Sequence, residues 1–154
     1  QAGVNACVAR GLSVIQGDAD TDLVAYPDKA FDAVILSQTI QATRRPKFVL
    51  EELLRIGERV IVSFPNFGFW KVRLALLFQG RMPVTSCLDQ PWYETDNIHL
   101  CTIDDFLDLC RSTGVHIEQA FARRHGGKPL PFDGTSRRAN LLAEEAIFVL
   151  RRTA

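Results

Sequence analysis

Phe-Asp-Ala-Val-Ile-Leu-Ser (31–37), Pro-Lys-Phe-Val-Leu-Glu-Glu-Leu-Leu-Arg-Ile (46–56) and Arg-Val-Ile-Val-Ser-Phe (59–64) together decide the fold. The first stretch carries an unbroken apolar run from Ala33 to Leu36, the pattern of a parallel strand covered on both faces. In the second, Pro46 belongs to a first helical turn, where its missing N–H costs nothing. Val49, Leu50, Leu53 and Leu54 recur at helical spacing and define the buried stripe, while Glu51 can reach Arg55 across one turn. Gly57 is suited to end that helix, and the third stretch is again an apolar strand. Strand, helix and strand in this order make a parallel crossover, so the expected class is an α/β sandwich with a mainly parallel sheet.

Outward from this unit the alternation continues. Residues 2–10 suit a helix, with Val4, Cys7 and Val8 on one side and Gly11 as a left-handed cap. Residues 12–16 read as a short strand stopped by Gly17-Asp18. Downstream, Thr102-Ile-Asp-Asp resembles a capping box. Ile103, Phe106, Leu107 and Cys110 then mark a helix closed by Gly114. Residues 115–122 and 145–150 are apolar strands suited to an antiparallel C-terminal pair. The polar connection over 123–140 is long for a compact domain and is expected to be mobile. No repeat or interdomain linker interrupts the chain, which reads as a single domain over residues 1–154.

Composition narrows the function classes. The 154 residues are 47% hydrophobic and 23% charged, which is globular usage. Eighteen basic residues balance eighteen acidic ones. That balance argues against nucleic acid or an anionic membrane as a partner of the whole surface. No apolar run approaches the roughly 18–20 residues of a membrane span. The charge is uneven, with Arg44 to Arg81 forming a basic stretch that suits either an anionic partner or a solvated helix face. Four cysteines lack any C-x-x-C spacing and the three histidines are scattered, so no metal site is expected. A reduced, cytoplasmic protein is the expectation.

Ligands of such sheets bind beyond the carboxyl ends of the strands. Asp18 stands at one such end, where its carboxylate suits an exocyclic amine or merely caps a turn. Ser37 and Gln38 end the most apolar strand, either bordering a ligand or satisfying strand-end backbone. Asn66, in Ser-Phe-Pro-Asn-Phe-Gly-Phe-Trp (63–70), offers both a donor and an acceptor at the ligand edge. The following helix is apolar nearly all round, with Trp70, Leu74, Leu77 and Phe78 on one side and Val72, Ala75 and Leu76 on the other. It is either buried or covers a ligand or partner. Tyr93 and His99 lie in a loop rich in aromatic and polar residues, with His99 a candidate acid or base or a loop brace. No catalytic dyad and no phosphate-binding loop can be read from spacing.

Five strings, Gly-Leu-Ser-Val-Ile-Gln-Gly-Asp-Ala-Asp (11–20), Phe-Asp-Ala-Val-Ile-Leu-Ser-Gln-Thr-Ile-Gln-Ala-Thr (31–43), Ile-Val-Ser-Phe-Pro-Asn-Phe-Gly-Phe-Trp (61–70), Gly-Arg-Met-Pro-Val-Thr (80–85) and Trp-Tyr-Glu-Thr-Asp-Asn-Ile-His-Leu-Cys-Thr-Ile-Asp-Asp-Phe (92–106), resemble the MetW family of methionine biosynthesis proteins. The resemblance covers nearly the whole chain apart from 125–140. It implies a Rossmann-like class I methyltransferase three-layer sandwich and S-adenosylmethionine as cofactor. Asp18 would then take the adenine amine, Ala19 would lie beside the ring, and Ser37 and Gln38 would border the methionyl part. It also implies homoserine O-acyltransferase as the partner this protein assists.

The family's first two strands, with its Gly-rich cofactor loop, are not found in these residues. Placed between 12–16 and 31–37, they would fill a gap of about 14 Å. An N-terminally incomplete domain is therefore expected, lacking about 40–50 residues. Two functions compete: an accessory subunit that keeps the fold, and an active methyltransferase on a small-molecule acceptor lined by Asn66, Trp70, Tyr93 and His99. A nicotinamide-dependent enzyme shares the sheet but fits the Asp18 and Ser-Phe-Pro-Asn strings less well.

Overall fold

The computed structural model describes residues 2–124, 127–133 and 137–152. Strand β1 (Phe31–Ser37), helix α2 (Pro46–Ile56) and strand β2 (Gly57–Pro65) follow helix α1 (Ala2–Ala9) and form the crossover unit. Helix α3 (Trp70–Gln79) and helix α4 (Ile103–Thr113) come next. Strand β3 (Val115–Arg123), the two-residue β4 (Leu130–Pro131), helix α5 (Arg137–Leu142) and β5 (Glu145–Arg152) complete the order.

The five strands make one open sheet in the order β1-β2-β5-β3-β4. β1 and β2 are parallel, with Val34 opposite Val60 and Ser37 opposite Ser63. β5 enters antiparallel between β2 and β3, as expected for the C-terminal pair, and β4 adds antiparallel to β3. The described sheet is therefore mixed, with its parallel part confined to the crossover.

One face of the sheet holds the core. Val60, Val62, Phe64, Ala146, Phe148 and Leu150 are fully buried there against Val49 and Leu50 of α2 and Ile103 and Phe106 of α4. The rings of Phe64, Phe106 and Phe148 lie within 6 Å of one another, centroid to centroid. On the opposite face Ile35, Ile61 and Val149 align in one row of the register. That row is less well covered, and Ile35 is 67% exposed.

The caps follow the sequence. Thr102 and Asp105 close a reciprocal capping box on α4, and Gly114 ends it at φ 66°. Gly57 caps α2 as expected, its N–H donating to Leu53 O. Its backbone is extended and passes straight from α2 into β2. A side chain there would meet Val34 Cγ2 at 2.6 Å, so a close strand approach requires the glycine.

Two expectations are corrected. Residues 12–16 form no strand, because no neighbouring strand offers them a hydrogen-bond ladder and β1 stands at the sheet edge. The connection over 123–140 is not simply a mobile loop. It contains β4, paired through Ala122 with Leu130, and most of α5. Residues 125–126 and 134–136 of that stretch lie outside the described residues.

Candidate functional site at the carboxyl ends of the strands

The turn after residue 17 is built from three acids with different tasks. Asp18 Oδ1 accepts the Asp20 N–H at 2.9 Å, and Asp22 Oδ2 accepts the Asp18 N–H at 2.8 Å. Asp20 is buried, and its carboxylate accepts the N–H groups of Arg44 at 2.8 Å and Arg45 at 2.9 Å. These N–H groups, led by that of Arg44, hold its carboxyl below the usual range. Asp20 thus pins the turn to the backbone that leads into α2. Asp18 Oδ2 and the Ala19 N–H have no partner among the described residues. An acceptor and a donor left side by side on a fixed turn suit the amine and adjacent nitrogen of an adenine edge.

At the end of β1, Gln38 takes a left-handed backbone (φ 52°), uncommon for a residue with a side chain. Its N–H continues the ladder to Ser63 O at 2.9 Å, and its side-chain amide donates to Glu145 Oε1. The other Glu145 oxygen pairs with Arg123. Gln38, Glu145 and Arg123 therefore form one polar bar across the ends of β1, β5 and β3. Ser37 Oγ lies 3.4 Å from Ser63 Oγ beneath it.

A cleft of about 570 Å³ opens beyond the bar, bordered by Gln38, Gln41, Cys87, Asp96, Asn97 and Glu145. Its wall is held by Gln41, whose backbone carbonyl accepts both the Ile98 N–H (3.0 Å) and the His99 N–H (2.9 Å). His99 is exposed beside this docked loop, and Tyr93 is exposed with its ring edge-on to Trp92. Burial pushes the Cys87 thiol up, with the carboxylates of Glu144 and Glu145 adding to the shift. A thiol shifted that way is a poor nucleophile at neutral pH.

The remaining predicted residues separate. Asn66 is only 2% exposed and every hydrogen bond of its amide is committed. Nδ2 donates to Asn140 O (2.7 Å) and Ala143 O (2.8 Å), while Oδ1 accepts from Gly68 N (2.9 Å) and Ile103 N (3.2 Å). It ties β2, α4 and α5 together rather than facing a ligand. Trp70 and Phe78 lie on α3, which buries only Val72. Leu77 is 73% and Phe78 78% exposed, so this helix is not buried within the described residues. Sequence reasoning passed over Asp20, Gln41 and Glu145. The second acid of Gly-Asp-Ala-Asp was a signal for Asp20; nothing local marks Glu145, whose partners are distant in sequence.

No group of three or more possible metal ligands occurs among the described residues. No described helix is long and apolar enough to cross a membrane.

The family model described as methionine biosynthesis protein MetW matches residues 1–150. A bifunctional methionine biosynthesis protein MetXA/MetW of Rhodopirellula baltica is 34% identical over 154 residues, 99% of this chain. The chain spans about a quarter (24%) of that relative's length. Among solved structures, a SAM-dependent methyltransferase of Thermotoga maritima, described as a possible histamine N-methyltransferase, superposes with a TM-score of 0.67 at 16% identity. The match covers 97% of this chain and 69% of that one. A SAM-dependent methyltransferase of Archaeoglobus fulgidus gives 0.60 at 12% identity, covering 97% and 71%. At such identities the structural likeness establishes the Rossmann-like methyltransferase fold alone.

Proposed function

Since this chain belongs to the MetW family of methionine biosynthesis proteins, we propose that it binds S-adenosylmethionine at the carboxyl ends of its strands and assists homoserine O-acyltransferase. The observation that carries the partner is the relative in which MetXA and MetW are one polypeptide. Fusion keeps two activities at high effective concentration, which serves proteins that work in contact. The exposed apolar side of α3, with Trp70, Leu77 and Phe78, is the surface we assign to that contact.

Cofactor binding rests on the Asp18–Ala19 pair. Asp18 would accept from the adenine amine and Ala19 N–H would donate to the ring nitrogen beside it. Ser37 and Gln38 would border the methionyl part. When bound, the cofactor supplies an electrophilic methyl group. The unpaired edge of β1 and the thinly covered row of Ile35, Ile61 and Val149 support a fold completed by further strands and helices of a longer domain. The four free cysteines fit a cytoplasmic, reducing setting.

Thermal unfolding with S-adenosylhomocysteine tests the cofactor. Stabilisation lost in Asp18→Ala is expected, and no shift in the full-length protein refutes cofactor binding. Co-purification with the acyltransferase, lost in Trp70→Asp or Phe78→Asp, tests the partner. An acyltransferase rate indifferent to this protein refutes assistance. The 570 Å³ cleft beside Gln38 favours a second reading, methyl transfer to a small acceptor held between Gln41, Asp96 and Asn97, with Tyr93 and His99 outside its lining. Release of S-adenosylhomocysteine on adding candidate acceptors would establish it.

A further inference from the structure

A second opening lies on the other side of the Arg123–Glu145 pair, between β3, β4 and α5. It is an open groove of about 540 Å³ with a mainly apolar lining. Ala139 and Ala143 form a buried floor, and Leu130, Pro131, Phe132 and Leu142 form the walls. Volume and lining are those of a small-molecule pocket, an apolar body site with few polar groups.

The charge around it has one sign. Arg123, Arg124, Lys128 and Arg138 border the groove, and among the described residues no carboxylate does. Arg123 is committed to Glu145, which belongs to the other cleft. Arg124 keeps its charge unpaired, because its only hydrogen bond among the described residues runs from Nε to Leu142 O at 3.2 Å. Lys128 and Arg138 form no ion pair among the described residues. Three exposed cations on the rim of an apolar groove attract an anion whose attached body is apolar, and repel a cation of the same shape.

We propose that this groove binds a small organic anion, a carboxylate or comparable anionic group on a short apolar chain. The tail lies on Ala139 and Ala143, between Leu130 and Leu142. The anionic group sits at the rim near Arg124, Lys128 and Arg138. The site uses none of the residues assigned to S-adenosylmethionine and does not depend on that assignment.

Titration of the isotope-labelled chain with hexanoate, hexylammonium and hexanol, followed by NMR, tests the proposal. Hexanoate is expected to give saturable shifts at Leu130, Ala139 and Leu142. Hexanol is expected to bind about tenfold more weakly, and hexylammonium not at all. The double variant Lys128→Glu, Arg138→Glu changes two exposed side chains, so its fold can be verified by its unfolding temperature. It should lose hexanoate by about tenfold and gain hexylammonium. Equal binding of all three probes would reduce the groove to an unselective apolar patch, and no saturable shift would remove the site. Unchanged hexanoate affinity in the double variant would refute the rim cations. Hexa-aspartate binding more tightly than hexanoate would replace the small anion by an acidic peptide.

Discussion

At the scale of single residues, the site end of the sheet depends on polar side chains that hold backbone. Asp20 receives two N–H groups, and its carboxyl is held below the ordinary range chiefly by the Arg44 N–H. A carboxyl with a lowered folded pKa adds stability in full above the ordinary carboxylate value, and that stability is lost as pH falls through the folded value. Unfolding temperatures measured from neutral pH down to about pH 3 should therefore show a gap between wild type and Asp20→Asn that narrows with acid. Asn66→Ala leaves Asn140 O, Ala143 O and Gly68 N–H without this partner, while Ile103 N–H keeps Asn140 Oδ1, and is expected to cost about 3 kcal/mol in denaturant titration. The sequence marked Asn66 as unusual but could not show its orientation. An amide that satisfies three backbone groups distant in sequence looks, in one dimension, the same as one that awaits a ligand. The turn at Asp18 was legible because it is local. Glu145 was not, since its partners Gln38 and Arg123 lie 107 and 22 residues away.

At the scale of elements, local chemistry fixed stripes and caps, although Arg55 pairs with Glu52 and Asp28 rather than with the expected Glu51. The stripe of α2, the capping box of α4 and the left-handed Gly114 all stand where their residues place them. Thr102→Ala removes that box and should cost about 1 kcal/mol, read from the unfolding midpoint. Residues 12–16 show the converse. Their composition suits a strand, but a strand exists only through its neighbours, and composition says nothing of those. Helix α3 was ambiguous for a related reason, because an apolar surface has no sign for inside or outside. Its exposure leads to a sharp expectation. Leu77→Lys should change the unfolding free energy by less than about 0.5 kcal/mol, since little is packed there. If α3 is the contact with the acyltransferase, the same change should abolish co-purification.

At the scale of the whole molecule, the sheet is closed on one face and open along β1. A long edge with apolar Ile35 beside it invites pairing with another strand. Light scattering of the 154-residue chain should show concentration-dependent association, reduced in Ile35→Lys. The position of β5 has a different consequence. Residues 145–152 occupy the middle of the sheet, between a strand that ends at residue 65 and one that ends at residue 123. During synthesis the β1–α2–β2 unit can form early, but β3 and β4 have nothing to join until β5 has left the ribosomal tunnel. The growing chain thus carries two unjoined halves until β5, the last of these five strands to emerge, closes the sheet.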